Sequence, residues 1–123
     1  MNNTEKLDKT EEFVESIYGS MDSFHKKHIE SLETVKNYKD KRYEFVRKLY
    51  VNLNDEDKEL FSGYIKSLVG DITSTMLADF DVLRYTDVYP YEELKIICDD
   101  VELKPYLFET FLATFQEKNP DME

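Results

Sequence analysis

The chain has 123 residues, of which 41% are hydrophobic, nine Tyr and eight Phe among them; this suits one domain of ordinary size and excludes disorder of the whole chain. Twenty-seven acids against 16 bases give a formal charge of -11, beyond the magnitude of roughly 2 to 8 that suffices to keep a small domain soluble. Binding to nucleic-acid phosphates and adhesion to anionic membranes both need a basic surface, so both are poor expectations.

Met1 to Lys9 is polar and mixed in charge, without the apolar run of a signal peptide. No stretch approaches the roughly 18 apolar residues of a membrane span. The single cysteine, Cys98, cannot form an intramolecular bridge, and the expected compartment is the cytoplasm. Residues 1–9 and 120–123 are expected to be disordered, flanking one helical domain over 10–119.

Breakers are few: Gly19, Gly63 and Gly70 lie in the first 70 residues, and Pro90, Pro105 and Pro120 in the last 34. Hairpins and sandwiches need turn residues every ten or so positions, so the expected fold class is all-α, a compact bundle of four or five helices. Asp8 with Glu11, or Thr10 alone, can cap a first helix over about 10–36. Val14, Ile17, Met21, Phe24, His28 and Val35 recur three and four apart as its apolar stripe. The same phase runs on through Tyr38, Phe45 and Leu49. A helix of forty residues is unusual in so short a chain, so a break near Asn37 to Asp40 and a second helix over about 40–52 are expected.

Asn54, followed by Asp55, Glu56 and Asp57, is a strong start for a third helix over about 55–79. Phe61, Tyr64, Ile65, Leu68, Ile72, Met76 and Phe80 form its apolar face. Opposite them, roughly 200° round at 100° per residue, stand Gly63, Ser67, Gly70 and Ser74. Small residues in a row let another backbone approach closely. The leading reading is a central helix packed inside the domain, and the alternative is a face on which a partner or a second copy pairs. After a connection from Arg84 to Tyr91, a short helix over about 91–98 is expected, because a lone strand would find no partner. Pro105 opens a last helix over about 105–118, with Leu107, Phe108, Phe111, Leu112 and Phe115 on its buried face and Asn119-Pro120 as its stop.

Charge is unevenly distributed. Residues 1–53 hold ten acids and ten bases, whereas residues 54–123 hold seventeen acids and six bases. Such polarity steers encounter with an oppositely charged partner. Within the acidic half, Arg84-Tyr85-Thr86-Asp87-Val88-Tyr89-Pro90-Tyr91-Glu92-Glu93 interleaves tyrosines with acids, and tyrosine is enriched at binding hot spots. These ten residues resemble the acidic Tyr-Tyr-Pro stretch of the colicin DNase immunity proteins, small acidic four-helix proteins that block a basic nuclease. The proline here separates Tyr89 from Tyr91, the chain is longer, and no other segment matches. The resemblance implies Asp87, Tyr89, Tyr91, Glu92 and Glu93 as contact residues; Asp81, Asp99 and Asp100 extend the acidic candidates.

Candidate chemistry is sparse. Asp22, His25 and His28 are spaced by three along one helix side, and with a further carboxylate they could form a two-His carboxylate metal site. His28 also occupies a core position of its stripe, where a histidine is usually structural. No phosphate loop, nucleophile elbow or zinc signature is present, so no catalytic residue and no cofactor are expected. The expected function is a non-enzymatic binding module whose acidic face meets a basic toxin, nuclease or DNA-binding protein, as an immunity or antitoxin-type inhibitor does. The alternatives are a helical metalloprotein or enzyme using Asp22, His25 and His28, and a homo-oligomer paired through Gly63, Ser67, Gly70 and Ser74.

Overall fold

A computed structural model describes residues 3–81, 95–103 and 105–121. Among the described residues the chain is all-α apart from one small hairpin, with helices α1 (Asn3–Thr34), α2 (Lys41–Val51), α3 (Asp55–Asp81) and α4 (Leu107–Lys118), and strands β1 (Ile97–Cys98) and β2 (Val101–Glu102) between α3 and α4. The chain comprises two compact units, one of Met1–Gly19 with Gly70–Glu123, the other of Ser20–Val69. Helices α1 and α3 contribute residues to both.

In the unit of residues 20–69, local signals place the helix ends. The chain leaves the helical path after Thr34, and Asp40, with extended backbone, accepts hydrogen bonds from the Arg42 and Tyr43 amides to cap α2. Glu44 accepts from the Tyr38 amide and holds Arg47 through both carboxylate oxygens. Those bonds, Arg47 first, pull its carboxyl down to about 2. Asn54 Oδ1 accepts from the Asp57 amide at 2.8 Å and starts α3. Met21, His25, Leu32 and Tyr50 are buried in this unit.

In the other unit, Val14, Val101, Leu103, Leu107 and Phe111 are almost wholly withdrawn from water, together with Thr10 and Tyr18. Burial of one such aliphatic or aromatic side chain is worth about 1.5–3 kcal/mol. Phe115 of α4 meets Tyr18 edge-on, with ring centroids 6.0 Å apart, and Asn119 ends α4 while donating to the Tyr18 hydroxyl.

Three expectations are corrected. Residues 3–9, expected to be disordered, are the first turns of α1. Thr10 is an interior helix residue, its hydroxyl donating back to the Lys6 carbonyl, and is no cap. Lys9 reaches Asp99 at 2.9 Å, and Lys6 lies over the Tyr106 ring, so partners about ninety and a hundred positions away hold these turns. The expected short helix over 91–98 is also replaced, where residues are described, by a strand. Ile97 pairs with Glu102 and Cys98 with Val101 around Asp99 and Asp100, whose φ angles of 50° and 65° make the tight two-residue turn that suits a hairpin. The last helix begins at Leu107, two residues after Pro105.

The third concerns α3, whose leading reading is a central helix packed inside the domain: the small-residue side agrees, with Gly70 and Ser74 buried beside Leu77, whereas Tyr64, Leu68, Ile72 and Met76 of the apolar face are exposed. The reason is contact distance: a Cβ at Gly70 would lie 2.5 Å from Phe115 Cε2. Gly70→Ala gains about 1 kcal/mol of helix propensity but displaces a packed ring, an overpacking cost of about 1–3 kcal/mol. The net expectation is destabilisation. Gly19, around which nothing lies within 4 Å, receives the propensity gain alone. Thermal unfolding of the two variants should therefore move the midpoint down for Gly70→Ala and up for Gly19→Ala.

Candidate functional site

Charge follows the two units more closely than it follows the two halves of the sequence. The unit of residues 1–19 and 70–123 holds eighteen acids and six bases, or -12; the unit of residues 20–69 holds nine acids and ten bases, or +1.

Of the acidic candidates, Asp87, Tyr89, Tyr91, Glu92 and Glu93 lie outside the described residues. Asp81 has a structural task. Its two carboxylate oxygens accept from the Leu107 and Phe108 amides at 3.1 and 2.8 Å, so the last residue of α3 caps α4, whose own N-cap residue Tyr106 makes no side-chain cap hydrogen bond. Asp99 is exposed but tied to Lys9, which by hydrogen bond and charge holds its carboxyl below the usual range. Asp100, next to it in the turn, is exposed. The hairpin thus presents Asp99 and Asp100 to solvent, while Asp81 is turned to the fold.

The three metal candidates take separate partners. Asp22 bonds Lys66 and Lys26, each at 2.9 Å. Its desolvation raises the carboxyl pKa, but the hydrogen bonds from Lys66 and Lys26 outweigh that and leave it below the ordinary value. His25 is buried and its Nε2 donates to the Ser62 carbonyl at 2.9 Å. His28 stacks on Phe24 and takes Tyr43 edge-on. Among the described residues no three His, Cys, Asp or Glu side chains are grouped as a metal ion requires. Nor are Gly70 and Ser74 open for pairing with a second copy, since both are buried within the chain.

An apolar surface appears instead. Phe24 and His28 of α1, Arg42 and Tyr43 of α2 and Ile65 of α3 line a pocket of about 330 Å³ in the unit of residues 20–69. That is the lower end of the roughly 300–1,000 Å³ of ligand cavities. Its polar members are occupied, Arg42 by Asp40 and His28 by aromatic rings, so the pocket suits an apolar group such as a partner's side chain. Along α3 itself Leu60, Tyr64, Leu68, Ile72 and Met76, each four residues from the next, are exposed by 66, 63, 43, 55 and 52%. The sequence showed Tyr64, Leu68, Ile72 and Met76 on one face but not Leu60, and Gly70 opposite them was the available signal for their outward direction.

Comparison with protein-family models, with curated proteins and with solved structures finds no match. No helix among the described residues is long and apolar enough to cross a membrane.

The capping role of Asp81 is separable from the exposed turn. Asp81→Ala should lower unfolding stability by about 1–2 kcal/mol, whereas Asp100→Asn, which keeps a residue tolerant of positive φ, should stay within about 0.5 kcal/mol of the parent. Denaturant unfolding of both variants checks this.

Proposed function

We propose that the chain is a non-enzymatic protein-binding module whose acidic unit engages a basic macromolecule, as an immunity or antitoxin-type inhibitor does in the cytoplasm. The observation that carries this reading is the segregation of charge, -12 in one compact unit and +1 in the other. A field of one sign concentrated on one unit speeds and orients encounter with a basic partner, and like charges reject acidic competitors. The exposed Asp99–Asp100 turn supports it, as does the tyrosine-acid segment over 84–93 with its resemblance to the colicin DNase immunity proteins. Asp87, Tyr89, Tyr91, Glu92 and Glu93 are the proposed contacts, with Asp99 and Asp100 as further acidic contacts. A basic nuclease or toxin is the proposed partner class.

Affinity capture from the source cell's lysate, at about 50 and about 200 mM salt, tests the reading, since exposed charge pairs weaken as the Debye length shortens. Basic proteins should be retained at the lower salt, and the variant Asp87→Asn/Glu92→Gln/Glu93→Gln should retain them less and with a flatter salt response. Retention of basic proteins equal in parent and variant would contradict the assignment of these contacts. Retention of acidic proteins alone would contradict the partner class.

A further inference from the structure

From the mouth of the pocket in the unit of residues 20–69 we infer a docking site for an acidic segment of a partner protein, anchored by one aromatic side chain. The site lies in the unit that the function proposed above leaves unused, and the inference is independent of that function. A volume of about 330 Å³ stands at the lower end for ligand cavities and suits a single side chain. The walls are rings: Phe24 and His28 stack with their planes 5° apart, and Tyr43 meets His28 edge-on at 5.8 Å. Such walls offer an inserted ring the offset and edge-to-face contacts that aromatic pairs prefer. Phe24 is 70% and Tyr43 49% exposed, so apolar area continues outside the cavity. A small molecule held within would leave that area in water, whereas a polypeptide carrying the anchoring ring covers it.

Charge at the mouth identifies the segment. Lys27 precedes His28 on α1, Lys41 precedes Arg42 at the start of α2, and Lys39 follows Tyr38, whose ring lies 5.7 Å from that of Tyr43. Lys27, Lys39, Lys41 and Arg42 are all exposed. The one acid among them, Asp40, is held by Arg42 and by the amides that open α2. Four bases against one acid leave the rim at +3. The other acids of this unit are placed elsewhere. Asp22 is bonded to Lys66 and Lys26, Glu33 to Lys58, and Glu44 to Arg47 and the Tyr38 amide. Glu30 stands about 160° round α1 from His28 at 100° per residue. Asp55, Glu56, Asp57 and Glu59 occupy the first turns of α3, at least six residues, or about 9 Å, along that helix from Ile65. A ring flanked by Asp or Glu therefore satisfies both the pocket and its rim, and a ring flanked by bases meets like charge there.

The chain contains no Trp, so the fluorescence of a peptide's own indole reports its burial by a blue shift. Three short synthetic peptides with blocked ends serve as probes of the full chain: a tryptophan flanked by acids, a tryptophan flanked by lysines, and a serine flanked by acids, the last used as a competitor. At about 150 mM salt the Debye length is about 8 Å and the charges nearest the ring decide. The acid-flanked tryptophan should bind with a blue shift, and the other two at least about tenfold more weakly. Phe24→Ala, an exposed substitution whose thermal unfolding verifies the fold, should weaken the first peptide at least about tenfold. Lys27→Gln/Lys41→Gln should also weaken it and flatten its salt dependence. Equal binding of the acid-flanked tryptophan and serine peptides, or parent affinity in either variant, overturns the inference. So does a lysine-flanked tryptophan that binds as tightly and depends equally on Phe24. Light scattering that finds a dimer in the free chain and a monomer in Phe24→Ala gives the mouth to a second copy and likewise overturns it.

Discussion

The structure depends on how closely the backbone of α3 approaches α4 at Gly70. With hydrogen in place of a methyl group there, the Phe115 ring lies where a side chain of α3 would otherwise stand. Ser74 and Leu77 follow Gly70 into the interior, and Phe115 in turn packs on Tyr18 and Phe111. A helix has one direction to face. With Gly70 and Ser74 inside, Ile72 and Met76 on the other side of the helix are exposed. A glycine in a helix interior is unfavourable by about 1 kcal/mol relative to alanine. The close packing it permits compensates, since interiors lose stability for every gap of methyl size.

The second organising feature is electrostatic. In the unit of residues 20–69 the near balance of acids and bases is accompanied by ion pairs: Asp22 with Lys66 and Lys26, Glu33 with Lys58, Glu44 with Arg47, Asp40 with Arg42. Exposed pairs of this kind add little stability, and Lys26 and Arg42 remain largely in water, with 74 and 86% of their side chains exposed. In the other unit acids outnumber bases three to one, and of its described bases Lys9 is committed to Asp99 and Glu12, while Lys6 and Lys118 lie over tyrosine rings. The proposed basic partner is the complement of the acidic excess in the unit of residues 1–19 and 70–123.

Much of the architecture was legible because its determinants are local. Asn54 with its three following acids marked the start of α3, Asp40 sat at the break between α1 and α2, and Asn119 ended α4, each by a short-range hydrogen bond that sequence proximity reveals. The failures have nonlocal causes. The first turns of α1 are held by Asp99 and Tyr106, far along the chain. The hairpin has two residues in each strand and an Asp-Asp turn in place of the stronger Asn-Gly signal. Asp81 reads as one more surface acid until the α4 amides are placed against it. The orientation of α3 is the most instructive case. Periodicity located both of its faces, and close packing on the small-residue side was the leading reading, but the exposure of Tyr64, Leu68, Ile72 and Met76 was not legible. The close approach itself belongs to Phe115, forty-five positions from Gly70. For the candidate site, the charge imbalance was visible from composition, and its division by compact unit required knowing that residues 1–19 join residues 70–123.

The orientation of α3 is the claim on which the rest turns, and thiol accessibility measures it directly. In a Cys98→Ser background, single cysteines at Ile72 and at Ser74 sample the two faces two residues apart on one helix. The account predicts that the thiol of Ile72→Cys reacts with a water-soluble maleimide near the rate of a free cysteine, while that of Ser74→Cys is protected at least about tenfold by native packing. Fast labelling at Ser74→Cys together with protection at Ile72→Cys would show the apolar face to be buried and would contradict the account.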